Sequence, residues 1–250
     1  MTPEQLQRYG RHISLASFGE AGQRKLLDAR VLVVGLGGLG SPIAMYLAAS
    51  GVGDLVLTDF DQVELSNLQR QIVHTTDQIG EDKVESARRT IERLNPEVRV
   101  HTRAWSMEEE EFHEEVARAD VVVDACDNFQ TRFELNRASQ ASGTPLVSGA
   151  ALRFEGQVAV FDPRDPDSPC YRCLYADEGG PEGEPCAQVG VLAPLLGVVG
   201  SIQATEALKL LTGVGRSLAG RVIVIDAHDL DIRTLKLRKD PRCPVCSAST

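Results

Sequence analysis

Positive charge is what this chain has least of: 26 lysines and arginines stand against 36 aspartates and glutamates, for a formal net charge of -10 and an isoelectric point near 5.0. That balance repels a phosphate backbone overall, which argues against nucleic acid as the main partner and leaves room only for a locally basic pocket. No hydrophobic run is long enough to span a bilayer, so no membrane is expected: the longest, residues 189–202, contains Pro194 and leads into Gln203, Glu206 and Lys209. It reads as a buried core helix. The first thirty residues carry Glu4, Arg8, Arg11 and Glu20 where a secretory leader needs an apolar centre. The six cysteines do not form the pattern of a small secreted disulfide scaffold, so the cytoplasm is the expected location. Missing too are an internal repeat, a histidine pair at metal-binding spacing and a Ser-His-Asp arrangement. His12 and His74 lie nearest the motifs described below, and all five histidines are expected at the surface or in packing roles.

What is present starts with length, since 250 residues suffice for one substantial core without staples. Four of the cysteines stand as two C-x-x-C pairs, Cys170/Cys173 and Cys243/Cys246. Two such pairs complete a closed four-thiolate zinc site with no position open to a substrate, so the metal is expected to be structural, clamping the end of the chain to its middle. Cys126 follows an apolar run and reads as a small core residue.

The first 150 residues alternate strand and helix patterns. A β-branched run at 31–34 leads into Gly35-Leu36-Gly37-Gly38-Leu39-Gly40, then an apolar helical stretch at 43–49 with Pro42 in its first turn, then a second strand at 55–59 ending in Asp59. Strand, glycine loop, helix, strand, acid is the order of a nucleotide-binding βαβ unit. The glycines let a phosphate approach the backbone and the helix N-terminus, and the acid accepts from ribose hydroxyls. Further strands are expected at 98–100, 121–125 and 145–148, and helices at 84–94 and 131–141. The fold class is therefore α/β, a Rossmann-like doubly wound sheet. Beyond Gly149 the runs at 156–161 and 221–226 suggest added, antiparallel strands on the same sheet. The acidic, Gly- and Pro-rich segment 177–185 reads as a mobile crossover loop.

A glycine loop serves NAD, FAD and ATP alike, so its surroundings must discriminate. A triphosphate needs cations and an acid for Mg2+, and Asp61, Ser66-Asn67-Leu68-Gln69-Arg70-Gln71, Lys83 and Asp127-Asn128 offer both. Each of Arg70, Lys83 and Asp127 taken alone is equally well a solvated surface charge. An NAD-dependent oxidoreductase accounts for the loop and Asp59, but not for Arg70, Lys83, Asp127 or the cysteine pairs.

Taken in order, Arg8-Tyr9-Gly10-Arg11, the glycine loop, Asp59-Phe60-Asp61, Leu65 to Gln71, Lys83, Asp127-Asn128-Phe129 with Thr131-Arg132, Cys170-Tyr171-Arg172-Cys173, Gly190 to Pro194 and Cys243-Pro244-Val245-Cys246 resemble the ubiquitin-activating-type adenylyltransferases, in the bacterial HesA/MoeB/ThiF form that activates sulfur carriers. The resemblance covers essentially the whole chain. It implies one adenylation domain, with residues 1–150 as the nucleotide-binding half and 151–250 as the carrier-binding, zinc-containing half. It implies ATP-dependent adenylation of the C-terminal glycine of a small ubiquitin-like β-grasp carrier ending in Gly-Gly. Gly37, Gly38, Gly40, Asp59, Asp61, Asn67, Arg70, Gln71, Lys83, Asp127 and Asn128 would surround the nucleotide: Asp59 as ribose ligand, Asn67, Arg70 and Lys83 on phosphates, Asp127 on Mg2+. Arg11 matches an arginine that reaches into a partner subunit's site, which implies a homodimer. The four zinc ligands match. Cys186 stands where some relatives form a covalent link to the carrier, and is a candidate for that step. Ser148-Gly149-Ala150, Glu155-Gly156-Gln157 and Lys83 to Ala87 lean towards the branch serving the small subunit of molybdopterin synthase, in molybdenum cofactor biosynthesis, over the branch serving the thiamin carrier. No sulfurtransferase extension is expected after Cys246. A non-catalytic partner subunit of this fold would lack the nucleotide residues, and here they are all present.

Overall fold

A computed structural model of the chain describes residues 1–103, 109–175 and 189–247. One eight-stranded sheet runs through it in the order β3-β2-β1-β4-β5-β6-β7-β8. The first five strands are β1 (Arg30–Val34), β2 (Asp54–Thr58), β3 (Arg99–Arg103), β4 (Val121–Asp124) and β5 (Leu146–Leu152), joined by parallel ladders. Then β6 (Glu155–Phe161), β7 (Arg221–Asp226) and β8 (Asp231–Lys236) continue antiparallel. The expected antiparallel extension is found, with one strand more than the sequence suggested. β8 reads Asp-Ile-Arg-Thr-Leu-Lys and is almost wholly exposed, so its alternation never contrasts a core face with a solvent face. Charged side chains on β3 and β8 suit the two open edges of the sheet.

The central strands are buried on both faces, as parallel strands between helical layers must be. Val31 and Val33 of β1 face one core with α4 (Gly40–Ala49), α5 (Lys83–Leu94) and α9 (Ala193–Thr212). Leu32 and Val34 face a second core with α6 (Glu109–Arg118), α7 (Phe129–Ser142) and α8 (Tyr171–Leu174). Each fully buried Val or Leu contributes roughly 1.5–3 kcal/mol of apolar burial, so these two layers dominate the favourable side of folding. Helix α9 is longer than the run that announced it. Pro194 sits in its first turn, where it interrupts no hydrogen bond, and Gly213 in the left-handed region (φ 77) ends it. By length and composition α9 could cross a membrane, but half of that apolar window is buried here, against α4 and the sheet. Gly200 permits the contact: a Cβ there would meet Pro42 Cγ at 2.6 Å and the Leu39 carbonyl at 2.8 Å.

Three short N-terminal helices, α1 (Pro3–Arg8), α2 (Gly10–Ile13) and α3 (Gly19–Asp28), precede the sheet. Buried Tyr9 fixes α2: its hydroxyl accepts from Asn95 Nδ2 at 2.9 Å and donates to Glu97 at 3.3 Å. Its ring lies against Gly51, where a Cβ would come within 2.6 Å.

Candidate active site and metal centre

Strand order places the site. β1 is flanked by β2 and β4, so the chain leaves β1 to one side and β4 to the other, and a crevice opens at their carboxyl ends. The glycine loop follows β1 and the Asp127 loop follows β4. The two approach closely at Gly35, which takes φ 92; a Cβ there would lie 2.7 Å from the Ala125 carbonyl. Gly40 opens α4, and its Cβ would lie 2.0 Å from the Gly35 carbonyl. Gly38 is packed under Leu196 of α9.

Asp59 is the hub of the loop. Its Oδ2 accepts from Leu36 N at 2.7 Å and its Oδ1 from Asp61 N at 2.9 Å, so one carboxylate pins the loop and the end of β2 together. Burial pushes the Asp59 carboxyl above its usual value, against the opposing pull of Lys83 and those two N–H groups. Lys83, the first residue of α5, is 4 % exposed. Its Nζ lies 2.7 Å from Asp61 Oδ2 and 4.0 Å from Asp59 Oδ1. A buried ammonium at this position is tolerated because two carboxylates face it, and Asp61 is half exposed and free to turn away.

The segment between β2 and α5 carries the other expected contacts. Asn67 ends a 3-10 turn, Leu65–Asn67, with its Oδ1 accepting from Glu64 N. Arg70 donates to the Ser66 carbonyl, and buried Gln71 reaches the glycine loop: a Cβ on Gly37 would meet Gln71 Nε2 at 3.7 Å. Among the described residues, buried Gln71 Oε1 has no hydrogen-bond partner, an acceptor left open beside the loop. His74, three residues on, is buried, one of the two roles expected for it, and its partners could not be read from the sequence. Its Nε2 meets the Leu36 carbonyl at 3.0 Å and its Nδ1 meets Ser86 Oγ at 2.7 Å. The only signal was its place just after the Asn67 to Gln71 run.

Across the crevice, Asp127 and Asn128 are exposed, and Asn128 caps α7 by accepting from Thr131 N at 2.8 Å. Beneath them lies a buried polar cluster that takes in Arg132 and Ser148 of the motifs and adds Asp124 and Gln203, which no motif announced. Asp124 accepts from Ser148 Oγ at 2.6 Å, and Arg132 donates to the Cys126 carbonyl at 2.6 Å and to that of Gly149 at 2.9 Å. These bonds fix the turn that presents Asp127. Buried Gln203 of α9 donates to the Asp124 carbonyl at 2.7 Å, and only a glycine at 149 leaves room for its amide. Cys126 is a core residue as expected: burial first, and then the Asp124 charge, hold its thiol far above the ordinary range. Arg11 is exposed on α2, with no hydrogen bond or ion pair to the loop among the described residues. Cys186 and the segment 177–185 lie outside the described residues.

The four paired cysteines converge. Cys170 caps α8 and Cys173 lies within it, Cys243 and Cys246 lie in the final turns, and the four sulfur atoms sit within 4.8 Å of one another. Sγ separations are 3.6 Å for Cys170 and Cys243, 3.5 Å for Cys173 and Cys246, and 4.0 Å for Cys170 and Cys173. Tetrahedral zinc with bonds of about 2.3 Å needs sulfurs about 3.8 Å apart, so the donor set fits that ion. Burial and the neighbouring thiols push Cys170 upward, as expected where four thiolates need a cation to share the site. Asn136 Nδ2 and Asp240 N point at Cys170 and Cys173 sulfurs, at 3.7 and 3.4 Å, completing an outer layer of donors.

The ThiF family pattern matches residues 9–245. The chain belongs to the ThiF family. The SAMP-activating enzyme E1 of Haloferax volcanii is 51 % identical over 243 residues, spanning 97 % of this chain and 89 % of that one. The molybdopterin-synthase adenylyltransferase of Escherichia coli is 45 % identical, spanning 98 % of each. The sulfur carrier protein ThiS adenylyltransferase of the same organism is 44 % identical, spanning 100 % of this chain and 98 % of that one. Relatives named for the two carriers thus differ by one percentage point, and similarity does not divide them. Among solved structures, E. coli MccB with ATP has a TM-score of 0.84 at 25 % identity, covering 96 % of this chain and 73 % of that one. In this ThiF-family chain, then, the glycine loop stands against Asp59, and Lys83 and Asp61 lie beside that carboxylate.

Proposed function

We propose that the chain adenylates the C-terminal glycine of a small ubiquitin-like sulfur carrier. The carrier's carboxylate attacks the α-phosphorus of ATP; an oxygen–phosphorus bond forms, the bond from that phosphorus to the β-phosphate bridge breaks, and pyrophosphate leaves. A terminal carboxylate has a pKa of about 3.5, so it is already ionised near pH 7 and needs no general base. What the site must supply is positioning and cations for an anion meeting a polyanion. The observation that carries this reading is Lys83, a buried ammonium beside the glycine loop whose nearer partner, Asp61, is half exposed and replaceable by phosphate oxygens. Asn67 and Arg70 lie on the same segment, and Asp59 offers remaining lone pairs to a ribose. Asp127, an exposed carboxylate at a strand end, would hold Mg2+, which supplies neutralisation of the phosphate charge. Arg11 would act in a partner's site within a homodimer. Zinc in the four-thiolate cluster would be structural. Residues 1–150 and 151–250 would serve as nucleotide and carrier halves of a single adenylation domain, and the enzyme would work in the cytoplasm.

The lean of 148–150, 155–157 and 83–87 favours the molybdopterin-synthase carrier, with the thiamin-pathway carrier as the second reading. ATP–pyrophosphate exchange with each carrier, intact and lacking its last glycine, tests the proposal. Exchange is expected only with an intact carrier; equal rates with the truncated form, or hydride transfer with NAD, would refute it.

A further inference from the structure

Leu36 is held at both ends of its backbone. Its N–H donates to Asp59 Oδ2 at 2.7 Å, its carbonyl meets His74 Nε2 at 3.0 Å, and its side chain is fully buried. A carbonyl can only accept, so Nε2 carries the hydrogen, and in the neutral ring Nδ1 lies 2.7 Å from Ser86 Oγ, whose single hydrogen faces both Nδ1 and Gln78 Oε1, the latter at 2.8 Å. Burial pushes His74 down to about 4, which keeps the ring neutral near pH 7. Ser86 belongs to α5, and its own carbonyl accepts from buried Gln78 Nε2 at 3.3 Å. A buried chain of contacts therefore runs from the helix that begins with Lys83 to the second residue of the glycine loop.

The peptide joining Leu36 to Gly37 is planar and trans, so its C=O and N–H point in opposite directions. Fixing the carbonyl towards His74 turns the Gly37 N–H away from His74 and its buried surroundings. Among the described residues, neither the Gly37 nor the Gly38 N–H has a partner. We propose that His74 is a positioning residue for nucleotide phosphate: by holding the Leu36 carbonyl, it aims the Gly37 N–H at the anion. This rests on the ATP reading of the site. His74 touches no substrate, and it differs from a side chain that merely fills space because its effect is directed at phosphate and not at the nucleoside.

Binding of α,β-methylene ATP and of adenosine, measured by calorimetry on the intact protein, separates the two roles. One lost buried hydrogen bond is expected to weaken α,β-methylene ATP about tenfold in His74→Leu, with adenosine within about twofold of wild type. His74→Gln, whose amide N–H can reach the Leu36 carbonyl, should recover most of the loss, and Ser86→Ala, which removes the contact at Nδ1 together with the hydroxyl's bond to Gln78 Oε1 but leaves His74 in place, should fall between. Parallel weakening of both ligands, unchanged analogue binding in folded His74→Leu, or a Gln variant as weak as the Leu variant would overturn the proposal. If His74→Leu does not fold, Ser86→Ala decides: a loss confined to the analogue supports the role and no loss overturns it. A wild-type protein that binds adenosine but not the analogue would instead refute the ATP reading, and the proposal with it.

Discussion

Gly40→Ala is a severe test of the crevice, because the added methyl has nowhere to go. Its Cβ would lie 2.0 Å from the Gly35 carbonyl oxygen and 2.8 Å from the carbonyl carbon, both backbone atoms. Gly35 has little room to retreat, since it sits at φ 92 with the Ala125 carbonyl where a Cβ of its own would lie, 2.7 Å from it. Gly38→Ala makes the control: its Cβ would meet Leu196 Cδ1 at 2.5 Å, the far end of a flexible side chain that can rotate. Overpacking of this kind costs about 1–3 kcal/mol, and Gly40→Ala belongs at or above the top of that range. The gain of about 1 kcal/mol from helix propensity is too small to offset it. At roughly 2–4 °C per kcal/mol for a chain of this size, Gly40→Ala should lower the thermal midpoint by about 6 °C or more, and Gly38→Ala by clearly less. Differential scanning calorimetry gives the midpoint, and calorimetric titration with α,β-methylene ATP should show the loop no longer binding phosphate in Gly40→Ala. A Gly40→Ala protein that melts with wild type and binds the analogue normally would refute the close approach of loop and helix on which the site is built.

Asp127→Ala should remove exchange activity by about 10²–10³-fold with little change in melting, because the residue is exposed; near-normal turnover at saturating Mg2+ would count against it. Mixing inactive Asp127→Ala with inactive Arg11→Ala should restore activity through heterodimers with one intact site, and no recovery after verified subunit exchange would rule out a shared site. Zinc should copurify at about one equivalent per chain, and Cys170→Ser should lose it along with several kcal/mol of stability; absence of metal in protein purified without chelator would remove the claim. Because burial lowers His74 from 6.5 to about 4, the unfolded chain takes up a proton in that window which the folded chain does not. Stability should therefore fall with falling pH between those values, by up to about 1.4 kcal/mol per unit, and chemical denaturation of His74→Gln should show a flatter slope across it.

The parallel half of the sheet was legible because its strands are short β-branched runs between turn-forming residues, and the glycine loop because only glycine tolerates its close approaches. Found where the motifs put them are Asp59 at the end of β2, Lys83 at the start of α5 and the cysteine cluster. Less legible was everything fixed by packing between distant segments. β8 lacks a buried face, so periodicity had nothing to register. His74 and the Asp124, Arg132 and Gln203 cluster join positions up to 79 residues apart, and such buried polar contacts leave no local pattern. His74 was expected at the surface or in packing; it is buried, and its partners are what distinguish it.

The cysteine cluster has a consequence for the chain between its halves. A metal shared by Cys170 and Cys243 closes a loop of 73 residues, and α9, β7 and β8 all lie within it. A crosslink of that span removes denatured-state entropy worth about 4 kcal/mol. A metal held there would act as a reversible staple, released by chelation. The span such a crosslink would close includes Leu196 over Gly38 and Gly200 against Leu39, so losing the metal would loosen the support beneath the glycine loop.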